Sequence, residues 1–551
     1  MEIVSKNYEN FEEDILNHIE NSDYISFDLE MTGIENDKNN SLIDTPEIRY
    51  LKYKHTSEKY SIIQLGLSLF KKRENPNNSN EILYECYPYN LYLFPNSKDL
   101  KDLSQDKMNL EIKCMLFNRK GNIDFNKWVN EGIYYLNERQ YRELYKRITE
   151  NNINNDNFYT DISHLEQKKF DYELAQKTIE DIRQNFLEQG KLYANSYIID
   201  CMPKFLLYYI KQKLPPNLYF QENFKMKRNW CTLITGFKTK EEKEELYAND
   251  ILCQLRELEH KKGVKRLFDA IFNKIHYGNI EINKDNFNIN KINKRKKILI
   301  GHNMSLDLLF IMSKLGDRLP DEYNSFKELI RNDLECIYDT KYLFEEYKNL
   351  NQNNIILKDI RSVLDNMYPY LKSTFGQFIN INIKCKDDFL KEEKYHSAGF
   401  DSFITGASFL YIKYAMRNTN FLNENKNNIF LMNCLYKSID INKDEDEYIF
   451  EINNPDDNIF VFRGIKKITD IKFENLFGKA LWEKHVIKLI NEEKSNILLV
   501  FTNFGKDNNI QNKTTFKTIA YSKICKDKFV AFTLREFRNK YMKKPNNILE
   551  S

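Results

Sequence analysis

The stretch Tyr24-Ile25-Ser26-Phe27-Asp28-Leu29-Glu30-Met31-Thr32-Gly33-Ile34 places two acidic residues directly after an apolar run. Its first four residues are mostly aromatic or β-branched, which predicts a buried strand. Because side chains alternate along a strand, Asp28 and Glu30 point to the same face. Two neighbouring carboxylates are costly to bury unless divalent cations balance their charge. The stretch therefore predicts a strand that holds metal ions.

Two later acidic residues decide how much weight this pair carries. An Asp-x-Glu pair by itself is most often the solvent-exposed end of an ordinary strand. Asp307 lies in the first turns of a helix predicted after a short buried strand and a glycine turn. Asp401 lies at the start of a further predicted helix. Strand ends and helix starts are where the site of an α/β protein forms, so we expect the acids to meet.

The acidic residues are of the kind that binds hard metal ions. Two Mg²⁺ ions, or Mn²⁺ ions in their place, need several shared carboxylates, and the sequence offers Asp28, Glu30, Asp307 and Asp401. His396 precedes Asp401 and could take a proton from an attacking water, since imidazole titrates near neutral pH. Taken singly, Asp307 is more often a surface carboxylate and His396 a core histidine. Asp339, at the end of another predicted strand, could simply satisfy backbone groups there.

The composition is that of a globular protein. A length of 551 residues predicts about three or four domains. The formal net charge is +2, so nucleic acid would have to bind through local patches and stacking. The nine cysteines show no C-x-x-C spacing, which argues against zinc or disulfides and suits a reducing compartment. With no signal-peptide pattern and no membrane-length apolar run, we expect a cytoplasmic and/or nuclear protein without a membrane partner.

Two segments differ in character from the rest. Residues 161–246 read as a small inserted module, with helices over 168–187 and 195–214 and short strands at 218–220 and 230–234, and a long helix over 240–273 leads back. Residues 430–551 predict the order βαββαβ, at 458–464, 470–477, 486–490, 496–502, 515–523 and 529–534. In that segment Phe460, Phe462 and Phe501 could stack bases, although strand aromatics are more often core residues.

Three blocks resemble the His-containing branch of the DEDD 3′→5′ exonucleases, and more closely the poly(A)-specific ribonucleases, or deadenylases. The blocks are FDLEMTGI (27–34), IGHNMSLDLLF (300–310) and HSAGFDSFITG (396–406). Further segments with the same resemblance are IDTPEIRYLKYKH (43–55), IIQLGLSLF (62–70), FNKWVNEGIYYLN (125–137) and YDTKYLF (338–344). The long stretch between the first two blocks suits an inserted single-strand-binding module.

The resemblance implies an α/β fold in several parts. A ribonuclease H-like mixed sheet flanked by helices would be built from residues 1–160 and 247–425. Residues 161–246 would form an inserted small α+β module that resembles single-stranded nucleic-acid-binding domains. Residues 430–551 would form a βαββαβ RNA-recognition-like domain.

The resemblance also implies an activity and its residues. Mg²⁺ or Mn²⁺ ions would be bound by Asp28, Glu30, Asp307 and Asp401. His396 would be the general base. Asp339 would not bind the metals itself but would help to hold the residues that do. Met31, Ile34 and Asn303 would contact the substrate, which is RNA with a 3′ poly(A) tail. Two-metal hydrolysis would release 5′-AMP, and a homodimer is expected by analogy.

Other functions fit parts of the same pattern. The same chemistry could trim the 3′ ends of small or non-coding RNAs. A catalytically inactive RNA-binding regulator is a different class, and five intact catalytic positions argue against it. A proofreading DNA exonuclease is disfavoured because no polymerase-like region follows the exonuclease blocks.

Overall fold

The computed structural model describes most of the chain. The described residues are 1–35, 40–74, 82–95, 108–150, 169–184, 196–200, 202, 204–215, 217–226, 229–272, 280–283, 286–289, 296–351, 355–385, 396–416, 420–447, 455–464, 473–477, 486–492, 497–502, 510–522 and 529–541. They form two compact units, residues 1–138 with 263–551, and residues 139–262. The predicted inserted module, 161–246, lies within the second unit, and the domain boundaries stay a prediction.

The secondary structure alternates helices and strands along the chain. The strands are β1 (Glu2–Ile3), β2 (Tyr24–Met31), β3 (Ile62–Arg73), β4 (Ile82–Tyr92), β5 (Ser196–Asp200), β6 (Leu218–Met226), β7 (Asn229–Gly236), β8 (Ile280–Asn283), β9 (Asn286–Ile289), β10 (Ile298–Gly301), β11 (Cys336–Asp339), β12 (Ile379–Ile383), β13 (Asn428–Phe430), β14 (Ser438–Asp440), β15 (Ile459–Gly464), β16 (Val486–Glu492), β17 (Ile497–Thr502) and β18 (Phe529–Thr533). The helices are α1 (Ser5–Asn21), α2 (Pro46–Lys59), α3 (Ile112–Lys120), α4 (Phe125–Glu131), α5 (Glu138–Glu150), α6 (Lys169–Ile182), α7 (Lys204–Lys213), α8 (Lys240–Lys261), α9 (Lys265–Ile271), α10 (Ser305–Leu315), α11 (Tyr323–Asp333), α12 (Thr340–Leu350), α13 (Ile355–Asp359), α14 (Leu364–Phe375), α15 (Ala398–Ala415), α16 (Phe421–Asn425), α17 (Pro455–Asn458), α18 (Phe473–Phe477), α19 (Ile510–Ala520) and α20 (Leu534–Tyr541).

A seven-stranded mixed sheet is the centre of the first unit. Its order is β1-β4-β3-β2-β10-β11, and β12 also pairs with β4. Strand β2 is antiparallel to β3 and parallel to β10. The carboxyl ends of β2 and β10 therefore lie at the same edge of the sheet, where an α/β protein builds its site. The mixed α/β sheet that the sequence predicts is thus present.

The two faces of the sheet carry different side chains along β2. Ile25, Phe27 and Leu29 join a core with residues of α1, α2 and α10. The alternate side chains are polar, and Ser26 bonds to α15 on the opposite face. This alternation confirms that Asp28 and Glu30 share a face, because positions two apart in a strand point the same way.

Two helices predicted in the insert region are partly wrong. Residues 195–214 contain the strand β5, which pairs antiparallel with β7, before α7 begins at Lys204. The run Tyr197-Ile198-Ile199 is aromatic and β-branched, which suits a strand. The helix predicted over 240–273 is broken between α8 and α9, where Gly263 has a φ of +54°. That left-handed backbone suits glycine and ends a helix.

The C-terminal residues of the first unit form a four-stranded antiparallel sheet. Its order is β16-β17-β15-β18, with α18 and α19 in the connections, which is the βαββαβ arrangement that the sequence predicts. Phe460 and Phe462 lie in the core under those helices, and Phe501 lies in a cluster shared with the main sheet. All three are at most 1% exposed, so they are core residues and are not open to bases.

The helix α20 covers the second face of this small sheet. Phe537 packs on Phe532 with ring centroids 5.8 Å apart, and both belong to the cluster shared with the main sheet. Arg538 donates to the backbone oxygen of Ile43 and to Asp456. Both faces of the C-terminal sheet are therefore covered by the chain itself. Among the described residues, none of the helices is both long and apolar enough to cross a lipid bilayer.

Candidate active site

Cross-strand rows of the main sheet form the floor of the site. Residues paired across β2, β3 and β4 lie side by side on one face of the sheet. The rows, from the middle of β2 towards its end, are Ser26 with Ser68, then Asp28 with Gly66 and Asn90, then Glu30 with Gln64 and Tyr92. A register shift follows directly after Glu30. Such irregularities are common beside active sites, where they redirect the following side chains.

Helix α15 lies directly on these rows and brings Asp401 to them. A Cβ atom placed on Gly66 would lie 1.8 Å from the backbone oxygen of Ala398, so only glycine permits this approach. The hydroxyl of Ser26 donates to the backbone oxygen of Ser402 at 2.7 Å. Helix α15 can pack this close to the sheet because Gly66 has no side chain and the facing residues of the helix are small.

The acidic side chains predicted from the sequence come together at this point. Carboxylate oxygens of Asp28, Glu30 and Asp401 lie within 4.8 Å of one another. Asp307, in the first turn of α10, is not one of these three, but it is near enough for its charge to raise the pKa of both Asp28 and Glu30. Burial is the larger cause of both shifts, with repulsion from Asp401 second.

The remaining two carboxyl groups are also shifted toward the protonated form. Burial, followed by repulsion from Asp339, raises the pKa of Asp307 to about 8. Burial likewise raises the pKa of Asp401 to about 7, although a hydrogen bond from the backbone of His396 opposes the shift. Each carboxyl group thus lacks enough nearby positive charge to stabilise its ionised form. A bound cation would supply that charge.

The cluster fits a hard divalent cation. The Oδ1 atom of Asp401 is buried, and it finds no hydrogen-bond partner among the described residues. Its Oδ2 atom accepts the N–H of His396 at 3.2 Å. Buried polar atoms are normally paired, so an unpaired oxygen on a carboxylate of the acidic cluster indicates a missing ligand. Oxygen-only donors of this kind are those that Mg²⁺ and Mn²⁺ prefer.

Asp339 organises the loop that leads to Asp307. Its carboxylate accepts the backbone N–H groups of Asn303, Met304, Lys341 and Phe430 at 2.9 to 3.1 Å. It is 1% exposed, so it lies beneath the site. This is the backbone-satisfying role that the sequence left open for it. Asn303 has a left-handed φ of +52°, which asparagine tolerates better than most residues.

His396 is held by residues that the sequence did not single out. Its φ is +68°, and its ring meets the edge of Phe117 with centroids 4.7 Å apart. A Cβ atom on Gly121 would lie 2.7 Å from the backbone oxygen of His396. Helix α3, which carries Phe117, therefore supports the histidine from outside the three sequence blocks. No spacing or composition signal in α3 predicts this contact.

The loop after β2 is held by the residues before and within α3. The backbone N–H groups of Ile34 and Glu35 donate to Oε2 of Glu111 at 3.0 and 3.1 Å. The backbone oxygen of Met31 accepts from Nδ2 of Asn118 at 3.0 Å. Met31 and Ile34 pack partly buried against the main core, one at the strand end and one in the following loop.

Comparison with protein families decides what kind of site this is. A model described as CAF1 family ribonuclease matches residues 3–409. The chain belongs to the CAF1 ribonuclease family. The matched range contains Asp28, Glu30, Asp307, Asp339 and Asp401, so the carboxylate cluster lies in the ribonuclease domain of a CAF1 family member.

Several curated relatives are similar over three quarters of this CAF1 family chain. An uncharacterized protein, C29A10.09c, of Schizosaccharomyces pombe is 24% identical, covering 76% of this chain and 94% of that protein. The poly(A)-specific ribonuclease PARN of Xenopus laevis is 25% identical, covering 74% of this chain and 62% of its own length. The pre-piRNA 3′-exonuclease trimmer of Bombyx mori is 25% identical, covering 74% of this chain and 70% of that protein. The chain thus spans less than two thirds of the Xenopus enzyme.

We expect Mg²⁺ to raise the Tm of the protein more at about pH 8 than at about pH 6. In the unfolded chain the carboxyl groups have pKa values of about 4, whereas burial raises those of Asp307 and Asp401 to about 8 and 7. Between these pH values the folded state binds more protons than the unfolded state. The free energy of unfolding of the metal-free protein therefore falls as pH rises. Bound Mg²⁺ replaces the lost protons. Differential scanning fluorimetry with EDTA or excess MgCl₂ measures this, and a larger shift at the lower pH would contradict it.

Proposed function

We propose that the chain is a metal-dependent 3′→5′ exoribonuclease that shortens poly(A) tails of RNA and releases 5′-AMP. The observation that carries the proposal is the cluster of Asp28, Glu30 and Asp401, whose oxygens lie within 4.8 Å of one another in a CAF1 family ribonuclease domain. The relatives named poly(A)-specific ribonuclease favour adenylate as the substrate.

The proposed metal site would hold two Mg²⁺ ions, for which Mn²⁺ could substitute, between Asp28, Glu30, Asp307 and Asp401. Bound there, the ions would polarise the attacking water and the scissile phosphate and offset charge on the leaving 3′ oxygen. The mutually repelling carboxylates suit this role, because cation binding would relieve their repulsion.

The proposed roles of the other residues follow from their positions. His396, whose backbone is tied to Asp401, would accept the proton of the attacking water. The bond between the terminal phosphorus and the 3′ oxygen of the preceding nucleotide would break, and that oxygen would take up a proton from solvent. Met31 and Ile34 would pack against the terminal nucleotide, and Asn303 would contact it from the loop that Asp339 holds.

A cleavage assay tests the proposal. The protein is incubated with Mg²⁺ and 5′-labelled oligomers of A, U and C, as RNA and as DNA. We expect stepwise shortening of the adenylate RNA from its 3′ end, with 5′-AMP as product. A regulator without activity would degrade none of the oligomers, and a proofreading enzyme would prefer DNA. Either result would overturn the proposal.

Trimming of non-adenylate 3′ ends is the second candidate. It is favoured by the similarity to the Bombyx mori trimmer, of whose length 70% is covered. Two RNAs with the same body separate the candidates, one ending in an adenylate tail and one ending in mixed sequence. A deadenylase would stop at the end of the tail, whereas a trimming enzyme would shorten both RNAs at similar rates.

The other parts of the chain have proposed roles as well. We propose that residues 161–246 form a single-stranded nucleic-acid-binding-like module, within the unit that contains the three-stranded sheet β5-β7-β6. The βαββαβ domain at 430–551 would resemble RNA-recognition domains in topology and act as a support, since its sheet is covered on both faces. A homodimer, to be measured by light scattering, and a cytoplasmic and/or nuclear location remain proposals from the family resemblance.

Glu111→Ala should raise the KM for adenylate RNA about tenfold while lowering kcat much less. Burial opposes the charge on Glu111, but hydrogen bonds from Ile34 and Glu35 outweigh it and lower the pKa of this carboxyl. Removing the carboxylate frees the loop that carries Ile34, which would contact the terminal nucleotide. Steady-state kinetics on an adenylate oligomer measures the two constants, with Glu111→Gln retaining an acceptor as the control. A fall in kcat at unchanged KM would contradict this role.

A further inference from the structure

We infer that Asn90 is a positioning residue that sets where Asp401 lies in the site. The inference rests on the proposed function only in taking Asp401 as a metal ligand. Asn90 lies on β4, 7% exposed, and its side chain reaches the first turn of α15. It is not one of the acidic residues of the cluster, and its effect on the site is exerted through the helix.

The first turn of α15 receives its caps from the sheet. The first N–H groups of a helix have no partners within the helix. In α15 the residue before the helix, Ser397, makes no side-chain cap hydrogen bond within the described structure. Instead the N–H of Gly399 donates to Oδ1 of Asn90 at 3.1 Å, and that of Ala398 donates to Oε1 of Gln64 at 3.4 Å. The shorter of the two bonds is that of Asn90.

The position of Asn90 in the sheet links this cap to the acidic cluster. Asn90 pairs with Gly66, and Gly66 pairs with Asp28, so the three lie in one cross-strand row. A metal ligand on the first strand of the row and a helix cap on the third are thereby held at a fixed spacing. The capped Gly399 precedes Asp401 by two residues, within the same turn of helix.

The contact between Asn90 and Gly399 is tightly packed. A Cβ atom on Gly399 would lie 2.6 Å from the Cβ of Asn90, so the two backbones are already as close as they can be. A side chain of similar size without an acceptor would leave the Gly399 N–H buried and unpaired. The first turn of α15 would then move to reach water, and the carboxylate of Asp401 would move with it.

Two variants of Asn90 test the inference. Asn90→Leu keeps the size and removes the acceptor, whereas Asn90→Asp keeps an acceptor in the same place. We expect Asn90→Leu to weaken Mn²⁺ binding about tenfold and to lower kcat about thirtyfold, because residues that orient ligands have effects of that order. The KM for adenylate RNA should stay within about twofold, since no substrate contact is removed. Asn90→Asp should remain within about threefold of the unmodified protein in each quantity.

The measurements separate positioning from general stability. Asn380→Leu, an exposed position on β12 of the same sheet, is the matched control and should leave Mn²⁺ binding and kcat unchanged. If Asn90→Leu does not fold, as judged by circular dichroism, Asn90→Ala replaces it with the same expectation. Mn²⁺ titration by calorimetry gives a result that does not depend on RNA cleavage. If the protein binds Mn²⁺ but cleaves no RNA, the proposed function fails and the titration still decides the role of Asn90.

Three results would overturn the inference. Unchanged Mn²⁺ binding and kcat in Asn90→Leu would show that the bond does not set the position of Asp401. Equal losses in Asn90→Leu and Asn90→Asp would show that the acceptor is not what matters. Absence of Mn²⁺ binding by the unmodified protein would remove Asp401 as a ligand, and the inference would fall with it.

Discussion

Asp28→Asn should lower kcat about a thousandfold while leaving RNA binding within about threefold, since a charge interaction worth about 4 kcal/mol in the transition state would be lost. The amide keeps the size of the carboxylate and removes its charge from the centre of the acidic cluster. Single-turnover cleavage of an adenylate oligomer measures the first effect. Fluorescence anisotropy with the same oligomer in EDTA measures the second.

The same variant should have a higher Tm than the unmodified protein when no metal is present. Burial and three acidic neighbours, Asp401, Asp307 and Glu30, raise the pKa of Asp28, so its charge opposes folding. An uncharged side chain removes that penalty. Asp359→Asn on the exposed surface of α13 is the matched control, and it should change neither activity nor Tm. Unchanged turnover in Asp28→Asn would refute the assignment of the site.

Gly66→Ala should destabilise the protein by about 3 kcal/mol and lower kcat about a hundredfold. The added Cβ would lie 1.8 Å from the backbone oxygen of Ala398 and 2.1 Å from its carbonyl carbon. Because both atoms belong to the backbone of α15, a side-chain rotation cannot relieve the clash, and the helix has to move away from the sheet. Urea unfolding and steady-state kinetics measure the two effects.

Ser68→Ala is the control for the glycine variant. Ser68 lies two residues along β3 on the same face, and its hydroxyl lies 2.9 Å from that of Ser402. Its replacement removes a hydrogen bond without adding an atom, so the loss should be about 1 kcal/mol. If the glycine variant were as stable and active as the serine variant, the depth at which α15 packs would not govern the site.

The acidic site could be predicted from the sequence because its signals are local. Asp28 and Glu30 are two apart in an apolar strand, so alternation alone places them on one face. Asp307 and Asp401 each lie near the start of a predicted helix, which predicts that they lie at the edge of the sheet where an α/β site forms. The structure brings the carboxylates of Asp28, Glu30 and Asp401 together, which agrees with the placement of each acid at a strand end or a helix start.

The supports of the site could not be predicted, because they depend on contacts between distant segments. Gly66 reads as one small residue in an apolar strand, and its importance appears only when Ala398 lies on it. In the sequence, Asn90 and Gln64 are single polar residues between apolar or aromatic strand neighbours. In the structure they accept hydrogen bonds from the first turn of α15, which begins some three hundred residues later. Phe117 and Glu111 lie in a segment whose composition resembles that of an ordinary surface helix.

In the C-terminal sheet, too, local sequence signals predict the strands, whereas the packing between segments could not be predicted. The order βαββαβ follows from apolar runs and turn residues within one segment, and the strand order agrees with it. The sequence does not predict helix α20, because half of its eight residues are charged and only three are apolar or aromatic. Two of these, Leu534 and Phe537, cover the sheet face that would otherwise be open to bases.

Docking of α15 on β2 has a consequence for how the protein is made. The bond between Ser26 and Ser402 joins residues 376 positions apart, and that between Arg538 and Ile43 joins residues 495 positions apart. Contacts of such high sequence separation form slowly, because the loop entropy is lost before the contact contributes. Strand β2 would leave the ribosome long before helix α15, and its apolar face would be exposed meanwhile. Biogenesis should therefore depend on chaperones that shield nascent β-strands until α15 and α20 have been synthesised.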